Sequence, residues 1–509
     1  MATSITREML ISQDHSELRV AICEDKQLVE LYIERAKRSV VGNIYLGKVT
    51  DVLPGMQAAF VDIGLEKNTY LYIDDLRVDG ERVESARQIS SYLQVGQTVM
   101  VQVVKDAMGT KGARVTMELS IPGRFLVLLP YSDRRAVSKK IGESQREELI
   151  ALMQHELSEG VGAIARTATK DAATEDIIAD IKLLTRIWDR VKRQSIEVAA
   201  PDVLYTEVDL AMRSARDIFT SEYSSLTIDN RQTYDKVVGL MKRSAPELVK
   251  RVNLYRSRGE PLFNRYDIED AIAQSLRREV SLPSGGSIVI DKTEALVTID
   301  VNTGSFVGKR TLEDTLLKTN LEAAIEAVRQ LRLRDLGGII IIDFIDMQLD
   351  ASKEKLLEEL QELLARDRTR TKLVGLDSLG LVEITRKNIS DGLFQTISEV
   401  CSYCAGQGRR LSAATRRIEI DRRLRNYVVS SKQQSFLFAI NDETYEIVTA
   451  AGINLAAAIK ADTGKMVRLF PDSSLQAIDF ECLIEGQSPS SAEQRSVQAP
   501  AAARFFGRG

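Results

Sequence analysis

Four consecutive isoleucines, Ile339–Ile342, lie between Gly337-Gly338 and Asp343. An unbroken β-branched run bounded by glycine predicts a strand buried on both faces. The run ends in acid, at Asp343 and again at Asp346. A carboxylate at the tip of such a strand is costly unless it is solvated, capped or paired with a cation. Most strand-ending acids begin a turn or cap the next helix, so a metal-binding role needs a second group from elsewhere in the chain.

The pattern along the rest of the chain predicts several bodies. Residues 7–35 alternate as an antiparallel meander with a turn near Glu24-Asp25, too small to stand alone and expected to join a later segment. Residues 38–120 are short strands broken by Gly and Pro, the spacing of a small OB-type barrel. Residues 121–212 are mixed: a strand through Gly123–Pro130, a helix around Glu147-Glu148-Leu149, a strand Gly162–Ala165, and a helix from Glu175 to about Glu197 with Trp188 in its core face. Residues 213–280 read as helical, with a strand-like piece at Val252–Tyr255 that could pair with the meander. Residues 281–400 alternate strand and helix, which predicts a parallel or mixed sheet. One of its helices is expected to start near Asn320 and to be capped at Gly337-Gly338. Another runs from Ser352 to about Arg366. Residues 411–486 form a smaller α/β unit opening on Arg416-Arg417 and Arg422-Arg423, and the Ser-, Pro- and Ala-rich tail from 487 to 509 reads as disordered.

Composition narrows the chemistry. A chain of 509 residues with 44% hydrophobic and 28% charged positions is several soluble domains. No apolar run is long enough to cross a bilayer, and no signal-peptide core follows Met1. The four cysteines, Cys23, Cys401, Cys404 and Cys482, are too few for a disulfide framework and point to a reducing cytoplasm. A net charge of −4 does not advertise nucleic acid, but binding needs only a local basic face. The two histidines, His15 and His155, read as surface residues, which argues against a Ser-His-Asp triad, a Cys-His pair or a multi-histidine metal site. Any catalysis then falls to carboxylates with a hard metal ion, or to Lys and Arg.

The second group is Asp300, which ends another strand of the 281–400 segment. If the two strands are parallel neighbours, Asp300 and Asp343 project from the carboxyl edge, where open α/β sheets place their sites. With Asn302 beside them, they suit a magnesium ion that keeps most of its waters. Lys309, Arg310, Arg332 and Arg334 are expected to meet backbone phosphates. Gly304–Arg310 imitates a phosphate loop but is one residue short of GxxxxGK[ST], and Arg310 replaces the Ser/Thr; a nucleoside-triphosphate site is rejected. On the barrel, Phe60 and Tyr70 either stack bases or fill the core, and Lys48, Lys105 and Lys111 can meet phosphates. Arg166-Thr167 at a strand tip can hold a phosphate, although a dipeptide alone says little. Cys401-Ser402-Tyr403-Cys404 is half of a tetrahedral zinc site; a redox pair is the other reading, and two chains giving two thiolates each would staple a symmetric dimer.

Together these motifs resemble the ribonuclease E/G family. The carrying stretches are Val41–Tyr45, Leu53–Gly64, Gly109–Arg114, Asp300–Gly304, Arg329–Gly338 and the isoleucine run with Asp343, in order, within a match from about residue 7 to 486. The resemblance implies a multidomain α/β protein. Residues 1–37 and 213–280 would build a ribonuclease H-like subdomain. Into it are inserted an OB-fold barrel at 38–120 and a 5′-sensor subdomain at 121–212. A deoxyribonuclease I-like catalytic subdomain at 281–400, a zinc link at 401–410 and a small domain at 411–486 follow.

The implied activity is a magnesium-dependent endoribonuclease cutting single-stranded, AU-rich RNA with a 5′-monophosphate, in ribosomal RNA maturation and mRNA decay. Asp300 and Asp343 match the metal pair and Asn302 its companion; Phe60, Tyr70 and Lys111 match the RNA clamp, and Lys105 is counted with them as RNA-binding from its place on the barrel. Arg166, Thr167, Gly123, Val127, Lys140 and Arg370 match the 5′-phosphate sensor, and Cys401 and Cys404 the zinc link of a homodimer or tetramer. Three positions depart from the pattern: Tyr70 stands where Phe is usual, Lys140 where Arg is, and Ser402 where Pro is. A non-catalytic RNA-binding scaffold is the competing reading, and the intact acid pair argues against it.

Overall fold

The computed structural model describes residues 5–35, 39–78, 81–83, 88–107, 112–257, 259–304, 312–377, 380–388, 392–401, 403–404, 406–450 and 454–487. Lys111, Lys309, Arg310 and Ser402 lie outside them, as does the tail from 488. The chain divides into two compact units, 1–397 and 398–509.

In the first unit the N-terminal meander forms as expected, from Arg7–Gln13, Glu17–Glu24 and Gln27–Arg35. Asp14 closes the first hairpin, its carboxylate accepting from the N–H groups of Ser16 and Glu17 at 2.6 and 2.9 Å. A strand the sequence pattern did not predict, Tyr223–Ile228, pairs in parallel with Arg7–Gln13. Val252–Leu254 pairs with that strand and not with the meander itself, completing a five-stranded sheet. Met9 and Ile11 of Arg7–Gln13 pack with Leu226, Ile228, Phe219 and Met241, while Leu10, Ala21 and Cys23 face Leu262, Phe263 and Leu333. Both faces are thereby covered, and burial pushes the Cys23 thiol up to about 12.

Ile44–Leu53, Ala58–Asp62, Thr69–Tyr72, Arg114–Thr116 and Thr98–Lys105 close into a five-stranded barrel through pairs such as Tyr45↔Val101. Gly47 permits the closure: a Cβ there would sit 2.5 Å from Val61 Cγ1. Asp202–Tyr205, grouped by the sequence reading with 121–212, hydrogen-bonds to the barrel strand Ile44–Leu53. A four-stranded sheet, ordered Ile121–Pro122, Leu126–Pro130, Val161–Ala165, Arg135–Val137, carries the helices Glu143–Glu156 and Thr174–Glu197, with Trp188 buried among them.

The fourth sheet has six strands, ordered Glu279–Ser281, Ser287–Lys292, Leu296–Asn302, Gly338–Asp343, Leu381–Arg386, Thr371–Leu376. Leu381–Arg386 was not foreseen. The isoleucine strand is buried on one face only: Ile340 and Ile342 are fully covered by the helices Leu312–Leu333 and Asp350–Ala365, but Ile339 is 52% exposed. The first of these helices begins about two turns before Asn320, which is a mid-helix residue. Its end is also earlier than expected, because Asp335 takes the left-handed conformation (φ 48°) ahead of the two glycines. Gly337 is instead needed for close approach, since a Cβ there would lie 2.9 Å from Asn388 Cα.

Arg332 and Arg334 do not face a phosphate site. Arg332 is buried and reaches the meander, pairing with Glu24 at 3.0 Å and Glu30 at 2.9 Å, while Arg368 also binds Glu30. Arg334 donates to Gln330 Oε1 and the Arg277 carbonyl. Buried charge demands such partners.

In the second unit a sheet of Met466–Pro471, Ser435–Ile440 and Phe480–Gly486 packs on the helices Ala413–Ser430, Asp442–Thr449 and Leu455–Thr463. Its basic cluster is largely spent internally: Arg416 pairs with Glu443, Arg422 with Glu419 and Arg423 with Asp479. Among the described residues no helix is long and apolar enough to cross a membrane.

Removing one partner of a buried ion pair is expensive, so Arg332→Ala is expected to lower unfolding stability by about 3–5 kcal/mol. Burial would raise Glu24 and Glu30, but the Arg332 hydrogen bond to Glu24 and the Arg368 and Arg332 charges beside Glu30 hold both below the usual range. Depressed carboxyls contribute stability above their ordinary pKa and lose it as pH falls through the folded value. The difference between wild type and variant in urea denaturation should therefore narrow below about pH 4. A loss under about 1 kcal/mol at pH 7 would contradict the account.

Candidate active site and nucleic-acid interface

The strands Leu296–Asn302 and Gly338–Asp343 are the parallel neighbours the acid pair requires. Their register runs Val297↔Ile340, Ile299↔Ile342 and ends at Asp300↔Asp343. Alternation puts the odd-numbered partners Val297 and Ile299 into the core and leaves Asp300 and Asp343 exposed on the opposite face. Adjacent strands lie about 4.8 Å apart, so the two carboxylates stand side by side at the carboxyl end of the sheet's two central strands. Asn302 Nδ2 donates to Asp300 Oδ2 at 2.9 Å, which fixes that carboxylate.

The chain beyond Asp343 is held by a buried residue the sequence reading took for a helix start. Asn320 donates to the Ile345 carbonyl at 2.8 Å and accepts from its N–H at 3.1 Å. Asp346 lies apart, exposed beside a hollow of about 250 Å³ with Lys353 and Asp377. Among the described residues no cluster of three or more His, Cys, Asp or Glu side chains is placed to hold a metal ion. Two carboxylates and an amide therefore fit a hard cation that retains most of its water, and not a fully protein-coordinated one.

On the barrel, Ala59, Val61 and Leu71 point inward, so Phe60 and Tyr70 point out and are half-buried. That excludes the core reading of the two rings. Successive register pairs Phe60↔Tyr70, Tyr70↔Arg114 and Arg114↔Lys105 lay four side chains across one outer face. Lys105 and Lys48 are exposed. Two members of this face were not picked out as site residues: Arg114 lies 5.2 Å over the Tyr72 ring and pairs with Asp75 at 2.7 Å, and Tyr72 meets Tyr70 edge-on at 5.4 Å. Their signal was the period-two alternation with Leu71 and Val115.

Arg166 and Thr167 line a cavity of about 560 Å³ together with Ser138, Lys170 and Asp217. The Thr167 hydroxyl meets that of Ser138 at 3.0 Å. Arg166 Nη1 donates to the Gly123 carbonyl at 2.8 Å and to Asp217 Oδ1 at 2.6 Å. Burial pushes the Asp217 carboxyl up, but the Arg216 hydrogen bond and the charges of Arg166 and Arg216 outweigh it and hold it below the usual range. Gly123 is required here, because a Cβ would stand 2.4 Å from an Asp180 oxygen that already accepts the N–H groups of Phe125 and Leu126. Val127 is paired with Ile164, which lines the cavity. Lys140 is exposed, its N–H directed to Ser138 Oγ at 3.4 Å. Arg370 is exposed and is not brought into the lining of this cavity.

In the second unit Cys401 is exposed and Cys404 half-buried. Cys404 Sγ accepts from the Gly408 N–H at 3.4 Å, and N–H groups of Cys404 and Tyr403 hold the Cys401 thiol below its ordinary value.

A barrel with an aromatic and basic outer face and a sheet carrying two exposed acids on adjacent parallel strands point to a nucleic-acid-processing protein. Comparison with known proteins sharpens this. The Ribonuclease E/G family profile matches residues 120–389. The chain is 39% identical over 474 residues to Ribonuclease G of Escherichia coli (strain K12), covering 91% of this chain and 97% of that protein. It is 39% identical over 487 residues to Ribonuclease G of Haemophilus influenzae, covering 94% and 99%. Against Ribonuclease E of Haemophilus influenzae it is 37% identical over 411 residues, 79% of this chain but 44% of that protein. The chain belongs to the ribonuclease E/G family.

Proposed function

We propose that this endoribonuclease cuts single-stranded RNA at Asp300 and Asp343 with the help of magnesium. The observation that carries the reading is the in-register pairing of those two acids on adjacent parallel strands. Two exposed carboxylates side by side repel each other, and a divalent cation between them relieves that repulsion. Asn302 fixes the Asp300 carboxylate through its 2.9 Å hydrogen bond, and the two acids with this amide would hold the ion. When bound, magnesium supplies positive charge against the phosphodiester as it gains charge in the transition state. Phe60 and Tyr70 offer ring faces on which bases stack, and Lys105, with Lys111, meets phosphates.

The same reading assigns the sheets. The meander with 213–280 is ribonuclease H-like, 38–120 the OB domain, 121–212 the 5′ sensor and 281–400 deoxyribonuclease I-like. Arg166 and Thr167 take a 5′-monophosphate, with Gly123, Val127 and Lys140 around it. AU-rich precursors of ribosomal RNA and mRNA in the cytoplasm are the substrates. Cys401 and Cys404 share a zinc ion with a second copy, making a homodimer or a tetramer of two such pairs; two thiols this close in the chain, with Cys401 held below its ordinary value, are the donor chemistry zinc needs. A non-catalytic scaffold would have no use for the paired acids.

Asp300→Asn and Asp343→Asn are each expected to cut magnesium-dependent cleavage of a single-stranded oligonucleotide about a thousandfold while RNA binding survives. Full cleavage by both variants would sink the assignment. Phe60→Ala should weaken binding of single-stranded RNA by about 1–3 kcal/mol in fluorescence anisotropy, with Phe60→Tyr close to wild type; an unchanged Kd in the alanine variant would contradict stacking. Cys404→Ser should remove zinc and shift mass toward monomer in light scattering. Metal content and mass both unaffected would count against the link.

A further inference from the structure

We propose that Asp217 is the positioning residue of the 5′-phosphate site: it holds the Arg166 guanidinium by one nitrogen so that its remaining edge faces the phosphate. The inference rests on the reading of Arg166 as the phosphate-binding residue and goes beyond it.

Three observations support it. First, among the described residues both side-chain hydrogen bonds of Arg166 are made by Nη1, to the Gly123 carbonyl and to Asp217 Oδ1. A guanidinium gripped at one corner is fixed in plane and direction, and its other N–H groups are left for a forked contact with a phosphate. Second, Asp217 is itself fixed. Arg216 grips it through two bonds, Nε to Oδ1 at 2.8 Å and Nη2 to Oδ2 at 3.1 Å. Arg216 Nη1 in turn donates to Glu207 at 3.0 Å, and both of those side chains are more than nine-tenths buried. The Glu207 N–H donates to Asn43 Oδ1 at 2.9 Å, and the Asn43 carbonyl accepts from Val103 N–H, two residues before Lys105. The guanidinium is thus held from the barrel strand that carries the basic face.

Third, Asp217 stands where a helix disfavours it. It is the last residue of Leu210–Asp217, and a carboxylate at a helix C-terminus opposes the helix dipole. The carbonyls at that end are already served by Arg124, whose Nη1 and Nη2 donate to Ala215 and Phe219 oxygens. The helix end therefore has its cation without Asp217, and the acid acts instead on Arg166. Because Arg216 shares the Asp217 charge, the carboxylate orients Arg166 without cancelling its charge.

The test compares cleavage of one RNA bearing a 5′-monophosphate or a 5′-hydroxyl, as the ratio of kcat/KM values, by the full chain carrying Arg166→Ala, Asp217→Asn or Asp217→Glu. The ratio cancels any loss common to both RNAs. We expect Arg166→Ala to abolish the monophosphate advantage. Asp217→Asn should reduce it about tenfold through KM, and Asp217→Glu, which keeps the charge one methylene further out, should retain part of it. If Arg166→Ala loses the advantage while Asp217→Asn keeps or increases it, the positioning role is overturned and the phosphate site stands; an increase would mean that Asp217 competes with phosphate. If Arg166→Ala keeps the advantage, both fall. Should Asp217→Asn fail to fold, an undiminished ratio in Asp217→Glu overturns the proposal and a reduced one supports it.

Discussion

The structure depends on the parallel pairing of Leu296–Asn302 with Gly338–Asp343 in one particular register. Val297, Ile299, Ile340 and Ile342 are each at most 1% exposed and belong to one core. Side chains alternate along a strand, so a slip of one residue would expose that set and bury the acids. The apolar contacts that stabilise the sheet therefore also put two carboxylates side by side at the end of its two central strands. The proposed cation would need both acids, so the register that packs the core is also the register the proposed site depends on.

The other elements of the first unit serve that pair of acids at different ranges. Asn320 pins Ile345 just past Asp343, from a helix packed beneath the sheet. The same helix sends Arg332 into the meander, where Glu24 and Glu30 take its charge. One helix thus holds the chain just past Asp343 and locks the six-stranded sheet to the N-terminal one. The barrel presents rings and cations outward because Ala59, Val61, Leu71 and Val115 take the alternate, inward positions, with Gly47 allowing close approach.

Much of this was legible in the chain. The isoleucine run and its acid were visible from periodicity alone, and the scarcity of histidine pointed to carboxylates before any geometry was known. Local patterns failed where tertiary partners decide. Tyr223–Ile228 is short, and Ser224-Ser225 interrupts its apolar pattern; it is a strand because Arg7–Gln13 offers a parallel edge. Leu381–Arg386 is six residues long, and its place in the sheet shows only once it pairs with Gly338–Asp343. Arg332 and Arg334 were read as phosphate ligands because charge shows in sequence and burial does not; their partners are as much as 308 residues away. Arg114 escaped notice because its importance comes from register with Tyr70 and Lys105, strands apart in sequence.

The most direct test of the central claim reads the metal and not the reaction. Titrating the intact chain with Mn²⁺ as a magnesium substitute, and following free ion by electron paramagnetic resonance, measures binding at the acid pair itself. The account predicts saturable binding that is lost in Asp300→Asn and in Asp343→Asn, with circular dichroism unchanged. Undiminished Mn²⁺ binding in both variants would contradict it.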